Sequence, residues 1–149
     1  MKKIEQKLNQ IFSNTDKSIN EIAKRGYVYA LAEPRDLLFV GLNPSYTNKA
    51  TSENYSYKIS DAVKNYPKHY KAFNDLATGG NYKNNWTYID LFYFRETNQK
   101  TLNYLIKKDI NFILEQLKVT NEIIKKINPK IIFVANSNAN YFFGVNKKK

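Results

Sequence analysis

A continuous apolar run, LLFVGL at residues 37–42, constrains the fold of this chain more than any other feature. A strand with one solvated face alternates apolar and polar residues, whereas a strand covered on both faces is apolar throughout. Pro34 precedes the run and Pro44 ends it. The run therefore predicts a strand that is buried on both faces, as in a parallel sheet.

Two further segments are typical of strands. Residues 86–94, WTYIDLFYF, are aromatic and β-branched and lie between polar loops, with Asp90 in the interior of the strand or near its end. Residues 131–135, IIFVA, predict a third buried strand.

Two helices have apolar residues at helical spacing, which are Ile4, Leu8, Ile11 and Phe12 in the first and Ile110, Ile113, Leu114, Leu117, Ile124 and Ile127 in the second. We expect Asp109 to cap the second, long helix and Asn128-Pro129 to stop it. Weak periodicity over residues 59–73 allows one more amphipathic helix before Gly79-Gly80.

Shorter helical segments are expected at both ends of the chain. A turn or two over residues 19–23 should stop at Gly26. Asn136 or Ser137 could cap a last short helix that ends at Gly144. Strands that alternate with helices imply βαβ units with right-handed crossovers. We therefore expect a single α/β domain over residues 1–149, a three-layer sandwich with a mostly parallel central sheet and a helical segment over residues 1–30 packed on it.

Composition excludes several kinds of chemistry. The sequence has no cysteine and one histidine, His69, so disulfides, thiolate catalysis and a metal site of side chains are not expected. We expect His69 to be a surface side chain within the Lys68–Lys71 run. No Gly-x-Gly-x-x-Gly run is present, which disfavours a flavin or dinucleotide, and we expect no cofactor.

The sequence also bears on the location of the protein. No window approaches 18 consecutive apolar residues, and the charged start MKKIEQKLNQIF lacks the apolar core of a signal peptide. We therefore expect a soluble, cytoplasmic protein, monomeric and without a membrane partner.

The formal net charge of +11 has two explanations that the sequence leaves open. Clustered lysine and arginine bind polyanions such as DNA. However, the chain is rich in Lys, Asn, Ile, Tyr and Phe, whose codons are rich in A and T, so nucleotide bias could produce the same charge. A nucleic-acid footprint requires the charges to cluster on one side.

The segment FVGLNPS, residues 39–45, resembles the first motif of the uracil-DNA glycosylase superfamily, particularly Gly-Ile-Asn-Pro-Gly of its mismatch-specific branch. The segment INPKIIFVANSNANYFFG, residues 127–144, is similar to a Pro-Lys-strand-helix segment further along those folds. The resemblance covers residues 31–144. It implies a uracil-DNA glycosylase-like fold, a DNA repair function with base flipping, and hydrolysis of an N-glycosidic bond in DNA.

The resemblance also implies site residues. Asn43 would orient the attacking water, with Pro44 fixing its turn and Gly41 allowing close backbone approach. Alternatively, Asn43 only bonds its own turn. The remaining residues expected to line the base are Leu42, Ser45, Asn136 and Ser137. A small residue at Ser45, where strict uracil enzymes carry a tyrosine, implies looser base selection.

Tyrosines after the motif could stack on a base. Tyr46, Tyr55 and Tyr57 lie downstream, and either Tyr55 or Tyr57 is our candidate stacking residue. The competing explanation for each is an ordinary half-buried surface tyrosine.

Asp90 departs from the family, several members of which carry a base-reading Asn near this position. An ionised carboxylate only accepts hydrogen bonds and would repel a uracil carbonyl unless it were protonated. The substrate would then not be plain uracil, or Asp90 would have another role. As an alternative, Asp90 pairs with Arg95 or caps a nearby turn.

A second departure concerns the His-Pro-Ser type motif that should follow Gly144. The sequence there reads VNKKK, and His69 precedes the second strand and cannot substitute. A frameshifted or truncated reading frame would explain this end. We therefore expect weak or absent excision, and two alternatives stay open, a non-catalytic nucleic-acid-binding relative and an unrelated flavodoxin-like nucleotide-binding domain.

Overall fold

The computed structural model describes residues 2–47 and 49–144. Its strands are β1 (Val28–Ala30), β2 (Leu37–Gly41), β3 (Tyr55–Tyr57), β4 (Trp86–Asp90) and β5 (Ile131–Val134). Its α-helices are α1 (Lys2–Ser13), α2 (Asn20–Ala23), α3 (Ile59–Asn65), α4 (Pro67–Gly79), α5 (Thr101–Lys108), α6 (Ile110–Ile127) and α7 (Ser137–Asn140). Short 3₁₀ helices cover Lys17–Ile19 and Tyr141–Phe143.

The main sheet has three parallel strands in the order β4-β2-β5. Strand β2 is the central one, as its apolar run predicts, and all five of its residues are buried. Its last residue, Gly41, pairs with Asp90 at the end of β4. The expected α/β class with a mostly parallel sheet is thus confirmed, and Gly41 and Asp90 share its carboxyl edge.

A second sheet was not expected. Strands β1 and β3 pair in parallel, with Val28 opposite Tyr55 and Ala30 opposite Tyr57. Because β1 lies within residues 28–30, the N-terminal segment is not wholly helical. Each strand has only three residues, which is too short for a recognisable alternation of side chains.

Helices cover both faces of the main sheet. One face carries Leu37, Phe39 and Tyr88, which pack against α3 and α4 through Ala62, Tyr70 and Ala77. The other face carries Leu38, Val40 and Ile89, which pack against α1, α5 and α6 through Leu8, Leu105, Phe112 and Ile113. The two apolar clusters give the three layers expected from the sequence.

Most helix boundaries follow the sequence signals. The Asp109 carboxylate accepts a hydrogen bond from Phe112 N at 3.0 Å and so caps α6, and Asn128 ends it at a φ of 50°. The single helix expected over residues 59–73 is instead two, because Pro67 starts α4 after a break at Tyr66.

The strand expected over residues 86–94 is shorter in the structure. Regular pairing stops at Asp90, although Leu91 N and Phe92 N still donate to Gly41 O at 3.0 Å and Leu42 O at 2.9 Å. Beyond them, the Gln116 side chain on α6 accepts from Tyr93 N at 2.8 Å and Phe94 N at 3.2 Å. A glutamine thus satisfies these two amides, while Tyr93 O accepts a hydrogen bond from Val28 N of β1 at 3.1 Å.

The expectation that residues 131–135 are buried is wrong. Ile131, Ile132 and Phe133 are 44%, 39% and 45% exposed. Strand β5 is at the edge of the sheet, paired only with β2 in the part of the chain that the structure describes. Within those same residues, no helix is long and apolar enough to cross a membrane.

Candidate functional site at the carboxyl edge of the sheet

The segment that follows β2 is held in place by the segment that follows β4. Glu96 N donates to Pro44 O at 2.9 Å. The Thr97 hydroxyl donates to Tyr46 O at 2.6 Å and accepts from Tyr46 N at 3.2 Å. The Gly-Leu-Asn-Pro loop is therefore anchored along its length rather than free in solvent.

The Asn43 side chain joins this loop to the segment that follows β4. Its Nδ2 donates to Glu96 O at 2.7 Å, to Pro44 O at 3.0 Å and, more weakly, to Phe94 O at 3.5 Å. Three carbonyl oxygens around one nitrogen fix the orientation of the amide, since Oδ1 would be repelled there. No donor among residues 2–47 and 49–144 bonds to Oδ1. Asn43 thus braces two segments, which is more than bonding its own turn, and leaves an acceptor on the other side.

Gly41 lies directly under two polar side chains of β4. A Cβ added at Gly41 would lie 1.9 Å from the Tyr88 hydroxyl and 2.5 Å from Asp90 Oδ1. The glycine expected to allow a close approach does so, but the approaching groups belong to the protein. Tyr88 and Asp90 are both buried, so neither side chain can simply swing away.

Asp90 has a neutral partner in the interior. Its Oδ1 accepts a hydrogen bond from the Tyr88 hydroxyl at 2.7 Å. Burial raises the pKa of Asp90 from 3.8 to about 7, and the bond from Tyr88 opposes part of that rise. The alternative pairing with Arg95 does not form: no contact between them is within ion-pair distance. Burial therefore favours the protonated form of the Asp90 carboxyl group.

Tyr57 is partly buried and packs against the same cluster. Burial raises the pKa of its hydroxyl, and the neighbouring Asp90 and Tyr70 add to the rise. The Tyr70 ring packs edge-on against Tyr88 with 5.7 Å between centroids. The Tyr57 hydroxyl therefore lies near Asp90 and Tyr70, and of the two candidate stacking residues Tyr55, at 44%, is the more exposed.

The rings of Tyr46 and Tyr55 contact two arginines. The Arg25 guanidinium lies 4.8 Å from the centre of the Tyr46 ring, and that of Arg95 lies 5.1 Å from Tyr46 and 5.4 Å from Tyr55. These distances are in the range of cation–π interactions. Arg25 also pairs with the carboxylate of Glu96 at 2.8 Å.

The other predicted site residues lie further from this arrangement. Leu42 is buried in the core under α5 and α6, so it does not face a ligand. Ser45 is exposed. Asn136 caps α7, its Oδ1 accepting from Asn138 N at 2.8 Å and Ala139 N at 3.2 Å, and Ser137 is exposed as the first residue of that helix. The capping role expected for Asn136 is confirmed.

Sequence reasoning missed Tyr88, Arg95 and Gln116. Tyr88 and Asp90 are two residues apart on a strand, so their side chains share a face, and that spacing was a usable signal. Gln116 interrupts the apolar stripe of α6 three residues after Ile113 and is fully buried. Arg95 gave no comparable signal, since an arginine after a strand is usually a surface residue.

Two cavities lie elsewhere in the fold. One, of about 320 Å³, is between α1 and α6, and the other, of about 440 Å³, is beside β1 and the end of α6. Neither is lined by Asn43 or Asp90. Among the residues described, no group of three or more acidic, histidine or cysteine side chains is arranged to hold a metal ion.

Comparisons with protein-family models, with curated proteins and with solved structures found no match to this chain.

Proposed function

We propose that this protein is a DNA glycosylase-like nucleic-acid-binding protein that hydrolyses the N-glycosidic bond of a damaged or mismatched base, with Asn43 positioning the attacking water. The observation that carries this proposal is the anchoring of the Asn43 amide. Its Nδ2 is held by the carbonyl oxygens of Pro44 and Glu96, and its Oδ1 is left to accept a hydrogen bond.

The proposed chemistry needs a water fixed in one place and no covalent intermediate. A water that donates to Oδ1 of Asn43 keeps its lone pairs directed away from the amide and toward the sugar carbon of an extruded nucleotide. Because the Nδ2 of Asn43 is already held by main-chain oxygens of two segments, the side chain loses little freedom when the water binds. An exposed, unbraced asparagine would have to be ordered first.

Asp90 supplies the proposed contact to the base. In its protonated form a carboxyl group donates one hydrogen bond and accepts another, as an amide does, so it can pair with a uracil carbonyl. In its ionised form it only accepts. With a pKa of about 7, Asp90 favours uracil-type bases in mildly acidic solution and bases with an amino group above neutrality.

A non-catalytic nucleic-acid-binding protein is the second candidate, and one observation favours it. The Tyr88 hydroxyl and Asp90 Oδ1 occupy the space over Gly41. Asp90 is 8% exposed, so a base can contact it only if neighbouring buried side chains move, and moving closely packed side chains is costly. Binding of the nucleic acid backbone needs no such movement.

Single-turnover excision assays test the proposal. The substrates are oligonucleotides with uracil, hypoxanthine or a mismatched thymine, and the proteins are the wild type, Asn43→Ala and Asn85→Ala. Asn85 is the matched control because its Oδ1 accepts a hydrogen bond from Asp36 N at 3.1 Å, at the opposite edge of the sheet.

The proposal expects excision of at least one base that is lost in Asn43→Ala and kept in Asn85→Ala. DNA binding without excision in all three proteins supports the second candidate. Excision that survives in Asn43→Ala contradicts the role of Asn43, and neither binding nor excision contradicts both candidates.

A further inference from the structure

Arg95 is the one arginine of the chain whose side chain is buried, with 4% of its surface exposed. Its Nη1 donates to three main-chain oxygens, those of Thr51 at 2.6 Å, Arg25 at 3.0 Å and Glu53 at 3.4 Å. This nitrogen has two hydrogens, so its bonding capacity is filled. The guanidinium is thus fixed in one orientation by the loop before β3 and by the turn after α2.

The opposite edge of the guanidinium, Nε and Nη2, has no hydrogen-bond acceptor among the described residues. Nε is buried and has no hydrogen-bond partner. Within residues 2–47 and 49–144, no acceptor bonds to Nη2 and no carboxylate forms an ion pair with Arg95. The adjacent carboxylate, Glu96, is used by Arg25 at 2.8 Å. A buried cation is normally paired, so this one lacks the partner that its environment demands.

We infer that the Nε–Nη2 edge of Arg95 is a binding site for a phosphate group. The two N–H bonds on this edge are parallel and spaced to meet two oxygens of one tetrahedral anion, which is the usual bidentate contact of arginine with phosphate. An anion there also neutralises the charge and satisfies Nε. The competing end-on arrangement, in which Nη1 and Nη2 bind the ligand together, is excluded because Nη1 already donates to main-chain oxygens.

The surroundings of Arg95 fit a phosphate that belongs to a nucleic acid. The Tyr46 and Tyr55 rings flank the guanidinium at 5.1 Å and 5.4 Å, and Tyr55 is largely exposed. An exposed ring next to a bound phosphate can stack on the attached base. Nε itself is covered, so the phosphate reaches it when a covering side chain moves, and Tyr55 is the exposed ring in contact with the guanidinium.

The same segment of backbone positions this site and Asn43. Arg95 lies between Phe94 and Glu96, whose carbonyl oxygens both accept from the Asn43 amide. A phosphate on Arg95 would therefore sit in a fixed relation to Asn43. The inference does not rest on base excision, because the unfilled edge of Arg95 demands an anion whether or not Asn43 acts on a base.

The test uses the three arginines of the chain, Arg25, Arg35 and Arg95, which give three Nε–H signals in a proton–nitrogen NMR spectrum. Spectra of Arg25→Gln and Arg35→Gln identify two of them and leave Arg95 by elimination. The wild-type protein is then titrated with inorganic phosphate and with a short thymidine oligonucleotide, each against sodium chloride at equal ionic strength.

A saturating downfield shift of the Arg95 Nε proton with phosphate or with the oligonucleotide, and not with chloride, supports the inference. Saturation at much lower concentration with the oligonucleotide identifies a nucleic acid backbone as the source, and the reverse identifies free phosphate. An Arg95 signal that does not move with either ligand, or that moves equally with chloride, overturns the inference. The titration needs no variant of Arg95 that folds.

Variants give a second readout. Arg95→Gln should weaken binding of whichever ligand moves the signal by roughly tenfold or more, while Arg35→Gln should not. Arg35 is the matched control because its loss removes the same charge from an exposed pair with Glu33. Equal weakening in both variants would show only a general effect of net charge and would contradict a site at Arg95.

Discussion

The Tyr88 hydroxyl donates a 2.7 Å hydrogen bond to Oδ1 of Asp90, and the bonded pair stands over Gly41 of the neighbouring strand. This contact explains why the central strand ends in glycine. The backbone of Gly41 has no positive φ, so what it requires is space rather than conformational freedom.

Replacing Gly41 with alanine should lower the free energy of unfolding by about 1–3 kcal/mol, which is typical of overpacking. The added Cβ would lie 1.9 Å from the Tyr88 hydroxyl, and both side chains above it are buried. Urea denaturation measures the loss. Gly79→Ala is the control, since a Cβ there meets nothing within 4 Å and should change stability by about 1 kcal/mol or less.

Removing the Tyr88 hydroxyl should relieve part of that strain. In the double variant Gly41→Ala/Tyr88→Phe the closest atom is gone, but the ring carbon Cζ of residue 88 remains 2.9 Å from the added Cβ. The two substitutions should therefore be less destabilising together than the sum of the single losses. Strict additivity would mean that Tyr88 is not what Gly41 accommodates.

Asp90 should make the protein less stable as the pH rises from about 4 to 7. The folded pKa of about 7 is above the ordinary value of 3.8, so the folded state holds a proton that the unfolded chain releases. The proton on Asp90 stabilises the folded state fully below pH 4. This stabilisation is lost between about pH 4 and 7, and the free energy of unfolding no longer changes through Asp90 above that range. A shift of about three units corresponds to roughly 4 kcal/mol.

The comparison that isolates this effect is between the wild type and Asp90→Asn, which cannot titrate but can still accept from Tyr88. The difference between their free energies of unfolding, measured in urea from pH 4 to 8, should change in favour of the variant as the pH rises. A difference that is constant over this range would show that Asp90 is ionised in the folded protein.

The secondary-structure elements that the sequence predicted correctly are those whose formation depends on residues within or next to the element. Strand β2 follows from an apolar run, and α6 follows from its period and from a local cap, Asp109, three residues before the amide that it binds. Asn136 likewise caps α7 through neighbouring amides. In each case the interacting groups are adjacent in sequence, so the pattern contains the whole interaction.

The features that the sequence did not predict depend on contacts with residues far along the chain. The exposure of β5 is set by which elements lie beside it, and its own sequence, IIFV, does not indicate that it lies at an edge. The Arg95 side chain bonds to residues 70 and 44 positions away. The surroundings of Asp90 include Tyr57 of β3 and Tyr70 of α4, which are far from it in sequence. Such contacts require the fold itself.

Gln116 should be one of the least replaceable polar residues of the chain. Its Oε1 accepts from Tyr93 N and Phe94 N, and its Nε2 donates to Phe112 O at 2.9 Å. Gln116→Leu fills a similar volume but orphans two buried amides, which should lower the free energy of unfolding by about 2–4 kcal/mol. Because these amides immediately precede Arg95, the variant should also weaken the binding of any ligand to Arg95.

The control for Gln116 is Gln6→Leu, the same substitution at an exposed position of α1. It should change the free energy of unfolding by about 0.5 kcal/mol or less. Equal losses in the two variants, measured by urea denaturation, would contradict a bracing role for Gln116.

Binding of DNA should depend steeply on salt if the basic residues form one nucleic-acid surface. Several phosphate contacts predict a loss of affinity of roughly tenfold or more between about 50 and 200 mM salt. Fluorescence anisotropy with short single- and double-stranded oligonucleotides measures this directly. Undetectable or salt-independent binding would favour nucleotide bias as the origin of the net charge of +11.

Uracil excision by this chain should be slow or absent. In the proposed mechanism, a water held on Asn43 would supply part of the rate enhancement, but stabilising the charge that develops on the departing base is usually the larger part. His69 cannot provide it, because it lies exposed on α4 with its ring against Tyr70. Losing such a donor costs about 10²–10³ in rate.

The burial of Asp90 adds to that loss, since a base can contact the Asp90 carboxyl group only after neighbouring side chains move. What excision exists should therefore be faster at pH 6 than at pH 8, where Asp90 is ionised and repels the uracil carbonyls. Single-turnover rates at both pH values, with a hypoxanthine oligonucleotide as a second substrate, measure this. Rapid excision at pH 8 would contradict the prediction and would point to another donor, with Ser137 or Asn138 beyond β5 as the first residues to replace.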